Sequence, residues 1–167
     1  MKELIYKGKA FDVYKKDVLL PNGMVVKYDV IEHNGAVGIL AFIDDNVILV
    51  KQNRPAVDRI LLEIPAGKIE DKEDPLTCCK RELEEETGFK ANKYIYLGEF
   101  YPSVGYTNEV IYLFLATDLE KGNMHLDPLE FLDLVYMNKN EFHKKIMNNE
   151  IQDSKTIIAY LKYCSLR

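Results

Sequence analysis

An α+β layered domain is the fold that this 167-residue sequence predicts, and three observations carry the prediction. β-rich runs fill the first third of the chain. One well-capped helix interrupts them at Pro75 to Thr87, and a helix pair closes the C-terminal end. Regular βαβ alternation, the mark of a doubly wound nucleotide fold, does not fit that order. The sequence also has neither a GxxxxGK(S/T) phosphate loop nor a GxGxxG fingerprint, so any bound phosphate must be held in another way.

Taken in order, Phe11 to Leu20 and Met24 to Ile31 are strand-forming runs separated by Pro21-Asn22-Gly23, which favours a tight hairpin turn. Ala36 to Ile43 and Val47 to Lys51 repeat the pattern around Asp44-Asp45-Asn46, predicting a second hairpin. Asp74-Pro75 is a helix start, an N-cap acceptor followed by Pro at the first helical position, and Gly88 is the corresponding stop. Strands follow at about Tyr94 to Tyr101, Val110 to Thr117 and Leu134 to Met137, then helices near Asn140 to Asn148 and Ser154 to Tyr163. No internal repeat or low-complexity linker is present. A seam near His33-Asn34-Gly35 divides a small antiparallel β region, residues 1–34, from the rest of the chain, 35–167.

Composition narrows the function classes. Twenty-two Lys and Arg against 27 Asp and Glu give a formal charge of -5, which excludes a chain-wide basic surface for nucleic acid. The longest purely apolar run, Ile111 to Ala116, is far short of the roughly 20 residues of a membrane-spanning helix. Lys2, Glu3, Lys7 and Lys9 interrupt the first ten residues, so no signal-peptide core is expected and the expected location is the cytoplasm. Cys78, Cys79 and Cys164 offer neither an even disulfide set nor CxxC spacing, and read as reduced structural thiols.

The acidity is local. Glu70 to Gly88 holds eight of the acids and three of the bases, leaving 19 of each elsewhere, so this segment alone accounts for the net -5. At about 100° per residue, Glu82, Glu85 and Glu86 share one helix face, beside an apolar stripe of Leu76, Cys79 and Leu83. Like charges at i,i+3 and i,i+4 destabilise a helix by a few tenths of a kcal/mol per pair, and the helix dipole disfavours anions near the C-terminal end. A hard divalent cation reverses the sign of that problem, because Mg²⁺ takes oxygen ligands and commonly combines carboxylates with substrate phosphates. The competing reading is a solvated acidic helix face.

The spacing shifts the balance between them. Gly67, five residues, Glu73, seven residues, then Arg81-Glu82-Leu83-x-Glu85-Glu86-x-Gly88-Phe89 resembles the complete signature of the Nudix hydrolase family. Seven fixed residue types at roughly 7% frequency each match by chance on the order of 10⁻⁸ per start position. The resemblance implies a Nudix-type α/β/α sandwich with a mixed sheet over residues 35–167, and a loop-helix-loop that binds divalent metal and hydrolyses a nucleoside diphosphate linked to another moiety. By the same likeness Glu82, Glu85 and Glu86 hold the metal together with the carbonyl of Ala66. Arg81 orients the carboxylates, Glu85 belongs to the catalytic set, and Glu73 braces the loop. The implied cofactor is Mg²⁺, with Mn²⁺ as a substitute.

Flanking segments resemble the ADP-ribose pyrophosphatase subgroup. Gln52-Asn53-Arg54-Pro55-Ala56 and Leu62-Glu63-Ile64-Pro65-Ala66-Gly67 are similar to its QYRPA and ELPAG segments, which puts Arg54 on substrate phosphate; without the family context a surface ion pair is equally open. Tyr101 to Glu109 is similar to a loop whose positions matching Ser103, Gly105 and Glu109 contact the terminal ribose or diphosphate. Asp127 to Asp133 resembles an acidic loop carrying a catalytic Glu, making Glu130 the candidate general base. The likeness further implies a homodimer formed through the N-terminal β region, with aromatic side chains stacking on adenine. Tyr28 stands where many relatives carry Arg; core packing is the commoner fate of a strand Tyr. His33, His125 and His143 are too scattered to assign chemistry. The expected activity is Mg²⁺-dependent hydrolysis of ADP-ribose to AMP and ribose 5-phosphate. The alternatives are a Nudix hydrolase of another nucleoside diphosphate (a nucleotide sugar, NADH or a dinucleoside polyphosphate) or a Nudix-like sensor without turnover.

Overall fold

The computed structural model describes residues 1–9, 11–126, 128 and 131–166, so Glu130 lies outside the described residues. Two sheets organise the chain. Strands β1 (Lys2–Lys7), β2 (Asp12–Leu19) and β3 (Val25–Glu32) form an antiparallel sheet in the order β1-β2-β3. The β2–β3 hairpin closes over Pro21-Asn22-Gly23, where Gly23 takes the positive φ that the turn requires. The first strand is not expected from its charge-interrupted sequence. It forms by backbone pairing with β2, and all six of its residues are exposed.

The second sheet is mixed. Its strands are β4 (Ala36–Ile43), β5 (Asn46–Arg54), β6 (Arg59–Glu63), β7 (Ala66–Lys68), β8 (Phe89–Phe100), β9 (Ile111–Lys121) and β10 (Leu132–Asn138). The main path runs β10-β5-β4-β9-β8, with β6 paired to β5 and β7 to β4. Only the β4–β9 pairing is parallel among these ladders. Three helices cover the faces: α1 (Pro75–Thr87), α2 (Lys139–Met147) and α3 (Ser154–Cys164).

Alternation along the central strands sorts side chains into two apolar layers. Val37, Ile39 and Ala41 of β4 and Ile48 of β5 pack with Cys78, Cys79 and Leu83 of α1. Leu40, Val47 and Leu49 point the other way, against Phe142 and Ile146 of α2 and Ala159 and Tyr160 of α3. The result is the α/β/α sandwich. No helix among the described residues is long and apolar enough to cross a membrane.

Helix α1 begins and ends where its capping residues dictate. The Asp74 side chain accepts the Leu76 and Thr77 N–H groups, Pro75 occupies the first helical position, and Gly88 takes the left-handed C-cap with its N–H on the Glu84 carbonyl. The expected apolar stripe needs one correction: Leu76 is exposed, and the buried face is Cys78, Cys79, Glu82, Leu83, Glu86 and Thr87. Two of the carboxylates therefore lie within the buried stripe and not beside it. Cys78 and Cys79 are packing groups whose thiols burial pushes up, which keeps them protonated at neutral pH.

Candidate active site

The segment from Ala66 to Asp71 and the face of α1 border a cleft of about 1140 Å³. Its lining includes Arg54, Ala66, Arg81, Glu82, Glu85 and Glu109, all anticipated from the sequence, together with Lys9, His33, Lys68 and Lys155, which are not. Ser103, Gly105 and Tyr28 do not line it. Tyr28 is neither in the core nor in this cleft: it lies on β3 opposite Lys16, 47% exposed.

Close approach explains Gly67. A Cβ at that position would fall 1.8 Å from the Glu82 side-chain carboxyl carbon, so the carboxylate occupies the space that any other residue would fill. One residue earlier, the Ala66 N–H donates to Glu86 Oε2 at 2.9 Å. Glu86 is only 2% exposed, and this backbone donor offsets part of the penalty of burying its charge. The two outer residues of the α1 carboxylate set are thus fitted against two consecutive residues of β7.

Arg81 binds the set together. Its Nη1 donates to Glu82 Oε1 at 2.6 Å and to Glu85 Oε2 at 3.0 Å, while Nε and Nη2 form a fork onto Glu73 at 2.9 Å each. Nη2 also reaches the Lys68 carbonyl at 3.2 Å. The Glu73 hydrogen bonds, opposed by burial and assisted by the Glu82 charge, push the guanidinium further up, so it stays charged. In return the Arg81 hydrogen bond holds the Glu73 carboxyl below its ordinary value. Glu73 also accepts the Glu70 N–H at 3.0 Å, so it ties the loop to the helix as a brace should. Glu84 turns elsewhere, toward Lys90 and the Asn123 N–H, which separates it from the other three glutamates of the helix.

Two histidines enter the site despite their scatter in sequence. The His125 N–H donates to the Glu85 carbonyl at 3.1 Å, and its Nε2 lies 3.5 Å from Glu85 Oε1. His33 lies 3.8 Å from Glu109 through Nδ1, which accepts the Gly35 N–H at 3.0 Å. Burial pushes His33 down, against the raising effect of Glu109, so this contact is one of proximity with a neutral ring. Glu63 is the larger omission of the sequence reading. It is 1% exposed and takes a two-pronged hydrogen bond from Arg54 Nε and Nη2, both at 2.7 Å. Burial raises its pKa, but the Arg54 hydrogen bonds and then the Lys155 charge outweigh it and bring the carboxyl down to about 2. Arg54 is therefore ion-paired and at the cleft at once, with three of its five N–H donors beyond those Glu63 uses.

The lining carboxylates Glu82 and Glu85, with no cysteine or methionine beside them, suit a hard cation. Among the described residues no three His, Cys, Asp or Glu side chains form a ready-made metal cage.

A model of the NUDIX domain matches residues 32–159, which span every element of this cleft except Lys9. The chain belongs to the NUDIX family. It is a Nudix hydrolase, of a family that generally uses a divalent metal. The chain is 40% identical to an ADP-ribose pyrophosphatase of Bacillus subtilis (strain 168), over 99% of its own length and 91% of the relative's. It is 38% identical to a methanol dehydrogenase activator of Bacillus methanolicus, over 99% of its length and 90% of that protein's. A solved structure described as an ADP compounds hydrolase superposes with a TM-score of 0.86 at 22% identity, covering 99% of this chain and 91% of that one. At that identity the superposition establishes the Nudix fold.

Proposed function

We propose that the protein hydrolyses ADP-ribose to AMP and ribose 5-phosphate by attack of water on the diphosphate, with Mg²⁺ as the cofactor. The observation that carries this reading is the Arg81 cluster, in which a charged guanidinium organises Glu73, Glu82 and Glu85 on one wall of the cleft. The full-length likeness to an ADP-ribose pyrophosphatase supports the choice of substrate.

Glu82, Glu85, Glu86 and the Ala66 carbonyl would hold Mg²⁺. When bound, the ion supplies Lewis-acid polarisation of the phosphoryl oxygens. The chain's own residues do the rest. Arg54 grips a phosphate with the donors that Glu63 does not use, and Arg81 keeps three like charges together that would otherwise repel. Glu109, with Ser103 and Gly105 on the same loop, meets the terminal ribose side of the substrate. Glu130 is the general base, and Glu130→Gln should lower kcat by about 10² while sparing KM.

In the same reading the N-terminal sheet pairs two copies of the chain, Tyr28 serves the adenine side, and the enzyme works in the cytoplasm. Light scattering on a size-exclusion column checks the dimer. The decisive assay incubates the pure protein with Mg²⁺ and a panel of ADP-ribose, nucleotide sugars, NADH and dinucleoside polyphosphates. ADP-ribose should give the highest kcat/KM; a higher value for NADH or a nucleotide sugar overturns the substrate assignment. Addition of Mg²⁺ to metal-stripped protein should also raise its melting temperature, because a ligand that binds the folded state stabilises it.

A further inference from the structure

The cleft has a second charged wall, and the signature helix does not supply it. Glu63, at the end of β6, holds its buried carboxylate between Arg54 and Lys155. Lys155 belongs to the first turn of α3, and its Nζ contacts Glu63 Oε2 and, at 3.0 Å, Asp153 Oδ1. The next residue along each segment repeats the link: Thr156 Oγ1 accepts the Ile64 N–H at 2.8 Å and lies 2.5 Å from Asp153 Oδ2. The start of α3 is therefore fastened, at two consecutive residues, to the stretch that runs on through Pro65 to Ala66 and Gly67. Those last two receive Glu86 and Glu82.

The charges explain why a lysine is needed there. Arg54 and Glu63 make a neutral pair, and Asp153 at the N-cap of α3 brings a further negative charge beside it. Lys155 and Asp153 enlarge it to a neutral group of four; removing Lys155 leaves that group at -1 beside the cleft. Orientation matters as well. A guanidinium fixed along one edge by a carboxylate presents its other donors in a set direction, and that carboxylate is itself fixed by Lys155.

We propose that Lys155 is a positioning residue for diphosphate binding: acting through Glu63, it sets the orientation of Arg54 and prevents this wall of the cleft from carrying net negative charge. The inference rests on the diphosphate-hydrolysis reading above but not on ADP-ribose as the particular substrate. The relevant probe is methylenediphosphonate with Mg²⁺, bound to the full-length protein and followed by calorimetry, because it reports on diphosphate recognition whichever nucleotide is cleaved.

Lys155→Met should weaken methylenediphosphonate binding about tenfold and raise KM by a similar factor, with a smaller effect on kcat, the scale typical of losing a partner that orients a site ligand. Lys155→Arg should restore most of both. In a Glu63→Gln background, Lys155→Met should add less than about twofold, since the path through Glu63 is already cut. Lys155→Gln, which keeps a donor and removes the charge, carries the same test should the Met variant fail to fold. Two results overturn the proposal. One is a lowered melting temperature with unchanged affinity and KM, which makes Lys155 merely structural. The other is the full tenfold loss in the Glu63→Gln background, which means Lys155 does not act through Glu63. A wild-type preference for another nucleoside diphosphate, together with the Lys155 effect on methylenediphosphonate, would sink the ADP-ribose assignment and support this one.

Discussion

The N-terminal sheet and the β6-to-α1 segment use the same kinds of charged side chain to opposite ends. In the sheet, Lys2 pairs with Glu32 at 2.6 Å and Lys27 with Asp17 at 2.9 Å, each from strand to strand across a solvated surface. Large apolar side chains are exposed there too, among them Leu4, Ile5, Tyr6 and Val25. In the second region one arginine joins three carboxylates, a buried glutamate takes a backbone N–H, and another glutamate fills the space above a glycine. Short ion-pair distances are common to both regions. Burial and shared partners are not, and they decide how much each charge matters.

The two regions should differ most at Glu86. Glu86→Gln keeps an acceptor for the Ala66 N–H but removes the charge, and kcat/KM with Mg²⁺ should fall by about 10² to 10³, the scale expected when a preorganised charge at the reacting centre is lost. Full activity in that variant would make the buried carboxylate no more consequential than the exposed ones.

Acid titration is the next largest effect. Glu63 has a folded-state pKa of about 2 against an ordinary value of 4.5, so its contribution is fully present above about pH 5 and is lost as the pH falls toward 2. The scale is on the order of 3 kcal/mol, since each tenfold change in proton affinity is worth about 1.4 kcal/mol. Glu73, also held low by Arg81, adds to the loss in the same direction. Denaturant midpoints measured from pH 6 to pH 2 should drop steeply for the wild type and less steeply for Glu63→Gln. Parallel slopes would show that the Arg54–Glu63–Lys155 group does not govern the acid limb.

Gly67→Ala should cost about 1–3 kcal/mol in urea unfolding and lower activity as well, because its Cβ would overlap the Glu82 carboxylate and something must shift. Retention of both properties would mean that Glu82 can sit elsewhere without consequence. The smallest effect is expected in the sheet: Lys27→Ala should leave the melting temperature and kcat/KM unchanged within error, since the pair that it breaks is exposed and screened. A large loss there would show that the first region depends on its ion pairs in a way its exposure does not suggest.

Local chemistry makes the centre of the site readable from the chain alone. Helix α1 runs from Pro75 to Thr87 because Asp74, Pro75 and Gly88 each act within a few residues of themselves, and the signature spacing puts Glu82, Glu85, Glu86 and Arg81 on adjoining turns. The short strands β6 and β7 escape such a reading. They span five and three residues on either side of Ile64-Pro65, too little for an alternation pattern. Their backbone groups, and the Ile64 N–H between them, are satisfied by distant partners: β5, β4, Glu86 and Thr156. Leu76 departs from the expected stripe for a related reason. Helical periodicity locates a stripe but not where along its length the sheet stops covering it.

The amino-acid sequence was enough to establish the chemistry: a carboxylate set on one helix face and the arginine that tempers it. Each of those depends on spacing along a single segment. Tertiary structure alone decided which other charges share the cleft. Glu63 and Lys155 stand 92 residues apart, and His33 meets Glu109 only where the end of β3 pairs with the loop leading into β9. Contacts at such separations follow from how strands pair and helices pack, and no local periodicity encodes them.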